Sequence, residues 1–172
     1  TESWWQQIEG EAIAGELAGA RLERVPSWIE SYGRFRAREG ARIMAEPEGW
    51  ERPYGVNPYR GYDTAWTPFL YNGDHPPHGI EALARVVRVG ERAWPLARIA
   101  EAGTLEEAGL RFEWSAGMAS ALDAERVAEG RDVGMVRVFD AATGAPAVAE
   151  VIFAFAFHAF HPEGEWMLGE DG

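Results

Sequence analysis

Neither cysteine nor lysine occurs among the 172 residues of this chain. Without cysteine there can be no disulfide, no thiolate metal site and no cysteine nucleophile within it. The same absence is silent on compartment. Without lysine, all 16 basic side chains are arginine, a pattern that points to a GC-rich genome before it points to function. Acidic residues number 28, so the formal net charge is -12. A nucleic-acid binder carries a basic patch or excess, so nucleic acid is not the expected partner. The same charge repels anionic membrane surfaces. No apolar run reaches the ~20 residues that a membrane helix requires, and no transmembrane segment is expected. The catalytic templates are missing too. There is no phosphate-binding P-loop, Gly15 and Gly19 do not make a dinucleotide fingerprint, and none of the serines at 3, 27, 31, 115 and 120 sits in a Gly-x-Ser-x-Gly elbow. The plentiful carboxylates read as a solvated acidic surface.

What the chain does have is apolar and aromatic mass. Apolar residues make up 47%, enough for a packed core, and eight Trp, eight Phe and five Tyr supply large buried areas. Residues 3–8 suit a strand. Residues 11–17 and 21–25 suit a short strand or turn pair. Ser27 is positioned to cap a helix to about Arg38, with Trp28, Ile29, Tyr32 and Phe35 at helical spacing. Residues 85–89, the Gly90-Glu91 turn and residues 92–94 read as a hairpin, after which Pro95 opens a helix to about Glu101. Residues 110–114 and 134–139 read as strands and 140–144 as a turn. Residues 148–160 read as a long final strand, apolar on both faces and therefore central. The expected fold is α+β and mostly β. It has antiparallel or mixed sheets, sandwich-like or barrel-like, with one or two short helices and a long irregular loop, all in a single domain over 1–172.

That loop covers residues 46–78 and is dense in Pro, Gly and aromatics; loops of this length are often functional. Within it, Tyr54, Asn57, Tyr59, Tyr62 and Asp63 are candidate ligand-binding residues, the tyrosines as rings with polar tips and Asn57 and Asp63 as anchors. The competing reading is a self-packed surface loop in which Asn57 and Asp63 bond their own backbone. All four histidines fall in two clusters. His158 and His161 stand at the end of the final strand, where they would share a divalent metal only if the strand bends or stops; otherwise one is a core residue and the other closes the strand end. His75 and His78 lie in the long loop, as further metal ligands or as a solvated proline turn. No catalytic residue can be assigned.

Several stretches together resemble one bacterial family of unknown function, DUF3179. They are Thr1-x-Ser3-x-Trp5-x-Gln7 with Gly10-x-Ala12-Ile13-x-Gly15; Leu22-x-x-Val25-Pro26; Tyr54-Gly55-x-Asn57-Pro58-Tyr59-x-Gly61-Tyr62-Asp63; the hairpin from Arg85 through Gly90 to Ala93-Trp94-Pro95-Leu96; Ser120-Ala121-Leu122-Asp123; and Phe153 through His158 to His161-Pro162. The resemblance implies that an upstream half with a Cys-containing segment precedes this one. It also implies an exported, periplasmic or otherwise extracytoplasmic protein. It fits a duplication in which this chain holds the end of one copy and a cysteine-free second copy. The role it leaves most open is binding, of a partner protein, a small ligand or a metal. The alternatives are an enzyme or redox or metal-handling protein whose reactive half lies upstream, and a structural subunit of a larger complex.

Overall fold

The computed structural model describes residues 2–43, 49 and 56–169. Nine strands form three sheets among them. Strands β1 (Ser3–Gln6) and β2 (Glu11–Gly15) make a two-stranded antiparallel hairpin. Four strands, β3 (Arg85–Val89), β4 (Arg92–Pro95), β8 (Glu150–Phe153) and β9 (Glu165–Trp166), form a sheet of order β8-β3-β4-β9, antiparallel except for the parallel β4–β9 pair. The third sheet is an antiparallel meander of β5 (Thr104–Glu107), β6 (Leu110–Ser115) and β7 (Met135–Asp140). Three short helices are α1 (Tyr32–Arg36), α2 (Leu96–Ala102) and α3 (Ala154–Phe160). The expected mostly-β, mixed-sheet α+β fold is what forms, and no closed barrel is present among the described residues.

The four-stranded sheet is apolar on both faces, and each face has its own partner. Side chains alternate along a strand, so Val86 and Val87 of β3 point opposite ways. Val87, with Trp94, Leu96 and Ile99, meets Leu110, Phe112, Val136 and Val138 of the meander and forms the main core. Val86 and Ala93 pack on Ala154 and Phe157 of α3, a second, smaller core. The architecture is a small two-sheet sandwich with α3 laid on its outer face.

The turns follow from backbone chemistry. Gly90 takes φ 61° between β3 and β4, the positive first centre of a type II′ turn. Between β5 and β6 both central residues are left-handed, Ala108 at 52° and Gly109 at 78°. That turn suits the right-handed twist of the strands, but it places an alanine Cβ where asparagine or glycine is favoured. Ala108 is exposed, so nothing in the packing demands alanine. Ala108→Asn should raise the unfolding free energy by about 0.5–1 kcal/mol. Chemical denaturation checks it; an unchanged or lower midpoint would mean that the turn is not strained.

Three readings of local structure need correction. The stretch 148–160 is not one strand: β8 stops at Phe153 and residues 154–160 turn into α3. Alternating Phe and Ala imitates a strand, yet Phe153, Phe157 and Phe160 also make an i, i+4, i+7 helical stripe, and the alanines favour helix. The helix expected from Ser27 to Arg38 shrinks to Tyr32–Arg36, with no buried residue and with Ser31, not Ser27, preceding it in extended conformation. Such a short helix draws little stability from propensity. Strand β5 was not expected at all, since Thr104-Leu105-Glu106-Glu107 carries only one apolar side chain.

Candidate functional site

Between the two sheets lies a cleft of about 1040 Å³. Its walls come from β3 and β8 on one side and β7 on the other, with the extended segment 27–32 and the segment 118–128 at its rim. Val87, Leu96, Val136 and Val138 of the main core form part of its floor. In the main core beside it, the rings of Trp94 and Phe112 lie 4.8 Å apart. Its lining is chiefly apolar. The charged residues on it are Arg85, Glu30 and Glu150 among the described residues.

Arg85 opens β3 and shares a face with Val87, which turns both toward the cleft. Its Nη2 donates to Asp63 Oδ2 at 2.8 Å and to Ser120 Oγ at 3.1 Å. Its guanidinium also lies over the Phe153 ring at 5.4 Å. The Ser120 hydroxyl donates to Asp63 Oδ2 at 2.6 Å and accepts from the Leu122 N–H at 3.1 Å. Arg131 completes the node with Nη2 3.3 Å from the same carboxylate oxygen. The Asp63 side chain is fully buried, and its Oδ1 has no hydrogen-bond partner among the described residues. Burial by itself would raise the Asp63 carboxyl, but the Ser120 hydrogen bond and the Arg85 and Arg131 charges outweigh it, and the group titrates below its ordinary value.

Asn57 is also buried, but its work is local. Oδ1 accepts from the Tyr59 N–H at 2.7 Å and Nδ2 donates to the Ala124 carbonyl at 3.1 Å. Further backbone bonds tie Asn57 N–H to the Glu125 carbonyl and Gly61 N–H to that of Asp123. Residues 56–63 are thereby laced to 122–126, and the loop delivers Asp63 to the cleft wall. Tyr62 packs on Phe153 with ring centroids 5.9 Å apart. Tyr59 is exposed and, with Tyr62, Pro68, Phe69 and Leu70, lines a separate open depression of about 460 Å³. Tyr54 lies outside the described residues. So the structure joins Asp63 to Arg85, Ser120 and Arg131, and Tyr62 to Phe153 at the end of β8, while Tyr59 is exposed and Asn57 serves the loop.

The histidines are not drawn into one cluster. His161, at the end of α3, stacks on Phe157 at 5.4 Å, and its Nε2 stands 3.2 Å from Glu9 Oε1. His158 keeps Nδ1 buried without a partner among the described residues. His75 and His78 are exposed. No three His, Cys, Asp or Glu side chains are arranged to hold a metal among the described residues. Glu9 instead belongs to a polar clasp. It grips the buried Arg88 with bonds of 2.7 and 3.0 Å, and so ties the β1–β2 hairpin to the four-stranded sheet.

Sequence reasoning found Asp63 but missed its partners. Ser120 sits in the Ser120-Ala121-Leu122-Asp123 stretch, which carries no local sign of a bond to Asp63. Arg85 gave a readable signal, a lone charge on the otherwise apolar 85/87 face of a central strand.

A β-rich protein with an apolar cleft between its sheets, polar at one wall, is the class that fold and site define. The chain belongs to the family described as "Protein of unknown function (DUF3179)", which matches residues 1–164. No curated protein and no solved structure matches it. No helix among the described residues is long and apolar enough to cross a membrane.

Proposed function

We propose that this protein is a binding module for a small apolar molecule held in the cleft between its sheets. The observation that carries this reading is the cleft itself, about 1040 Å³ and mostly apolar in lining. Small-molecule sites are typically concave and apolar, with a few well-placed polar groups, and this cleft has that composition. The enzyme reading has less support. The Ser120 hydroxyl donates its proton to Asp63 and has no imidazole partner among the described residues. An extracytoplasmic setting, implied by the family resemblance, is part of the proposal, and fractionation of the native cells checks it.

The test is titration with a neutral apolar dye such as N-phenylnaphthylamine, whose emission rises on leaving water. Saturable binding is expected. Val151 lines the cleft from β8 and is exposed, so Val151→Trp fills space without removing core packing. That variant should weaken dye binding by about tenfold or more, with an unchanged circular dichroism spectrum. Absence of saturable dye binding, or equal binding by the variant, overturns the proposal.

A further inference from the structure

We infer that the cleft selects an apolar chain ending in a single negative charge, a long-chain carboxylate, with Arg85 reading the head group. This rests on the cleft being a ligand site and adds the chemistry of its occupant.

The charges around the cleft carry the inference. Both acidic residues on its lining are already neutralised by arginines from outside it. Glu150 pairs with Arg24 at 3.1 Å and with Arg88 at 3.5 Å. Glu30 pairs with Arg38 and with Arg137. Arg85 is the one cation on the lining among the described residues. Its own partner, Asp63, is shared with a second guanidinium, that of Arg131. One carboxylate between two arginines leaves this node with a net charge of +1, in a chain whose total is -12.

The hydrogen bonding agrees. Arg85 spends only Nη2 on the protein, and no described residue accepts from its Nε or Nη1. The guanidinium is nevertheless held in place, by Asp63 and Ser120 at one corner and by the Phe153 ring beneath it. A fixed cation with unspent donors beside an apolar surface is how proteins recognise the carboxylate of an amphiphile, because low local dielectric strengthens a charge-assisted hydrogen bond. The single cation on the described lining matches one negative charge. A phosphate dianion would need a second cation, and none lines the cleft among the described residues. A neutral head group would accept a hydrogen bond from Arg85 but form no ion pair, and a cationic one would be repelled.

The experiment compares dodecanoate, dodecanol and methyl dodecanoate as competitors for the bound neutral dye at neutral pH, where the carboxylate is ionised. The three share one apolar chain and differ in the head. Dodecanoate should displace dye at a concentration about tenfold or more below that of the other two. Arg85→Gln should erase most of this preference while the two neutral competitors are little affected. If Arg85→Gln fails to fold, because Asp63 has lost a partner, the competitor series on the unaltered protein decides alone. Equal displacement by all three, or displacement by none while dye still binds, overturns the head-group assignment and leaves the apolar cleft standing. Failure of the dye itself to bind removes both.

Discussion

Asp63→Ala lowers the stability of the fold by about 3–5 kcal/mol, the range for removing one partner of a buried ion pair. Its carboxylate is the point at which three separate parts of the chain converge: Arg85 from β3, Ser120 from the segment after β6, and Arg131 from the approach to β7. Without it, the guanidinium of Arg85 loses its charge partner while its side chain stays only 16% exposed. Ser120, 1% exposed, loses its acceptor. The change therefore leaves orphaned polar groups as well as a lost bond. Asp63→Asn keeps the volume and one acceptor and should cost less. Its amide cannot balance two arginines, so it should not be neutral.

The pH dependence has a definite sign. The carboxyl of Asp63 titrates below its ordinary value when folded, since the Ser120 bond and the two arginines overcome the opposing effect of burial. A depressed folded-state value means that the unfolded chain holds the proton more tightly. The stabilisation is complete above the ordinary Asp value of ~3.9 and is lost as pH falls through the folded-state value. Glu9 and Glu107 are shifted downward as well, Glu9 against its own burial by Arg88, His161 and Arg24, and Glu107 by Arg98 and Trp94. Unaltered protein should thus lose stability progressively in acid, and Asp63→Asn should show a shallower acid limb. Urea denaturation from neutral pH downward measures both effects. A loss under about 1 kcal/mol for Asp63→Ala would place the node among exposed ion pairs, which contribute that little.

How much of this was legible depended on whether local chemistry or tertiary context decided each element. The 85–95 hairpin was readable because Gly90-Glu91 punctuates two apolar runs, and α2 because Pro95 pre-sets its first turn. Strand β6 and the turn after Asp140 were readable for like reasons; Asp140 Oδ1 accepts from the Ala142 and Thr143 N–H groups, as an Asx turn should. Strand β5 was not readable, because its turn is Ala-Gly and not the usual Asn-Gly and its outer face is acidic. The phenylalanine segment was ambiguous by period alone. A thirteen-residue strand against a typical ~5–6 was itself a warning. The site was half legible. Asp63 stands out as a polar anchor in a Gly-rich aromatic loop, and Asn57-Pro58 announces a turn in that loop. That Asp63 would find Arg85 and Ser120, 22 and 57 residues away, is long-range packing with no local signature. The cleft is less visible still, because the same Val and Ala residues would serve a closed core.

Trp94→Ala should be as damaging as any core change, at about 3–5 kcal/mol. Trp94 is fully buried at the centre of β4, opposite Val87 and against Phe112. Its indole Nε1 donates to Glu107 Oε2 at 2.6 Å, and Glu107 in turn receives two bonds from Arg98, which reaches the Met167 carbonyl. The ring therefore fills the space between the sheets and anchors the β5 edge to β4. Alanine would open a void and remove the indole bond, while Glu107 keeps Arg98. Trp94→Phe should cost about half as much, since most of the volume survives. The difference matters for the cleft. Val87, Leu96, Val136 and Val138 are at once neighbours in the Trp94 core and floor of the cleft, so the tryptophan sets the spacing that keeps the cleft open. Cores relax only partly around a deleted side chain, and relaxation here would draw the two sheets together. Trp94→Phe should retain dye binding at near-normal affinity, whereas Trp94→Ala, assayed at low temperature where enough of it is folded, should bind weakly. Thermal and urea unfolding give the first pair of numbers and dye titration the second. Full dye affinity in folded Trp94→Ala would show that the cleft holds its shape independently of the core beneath it.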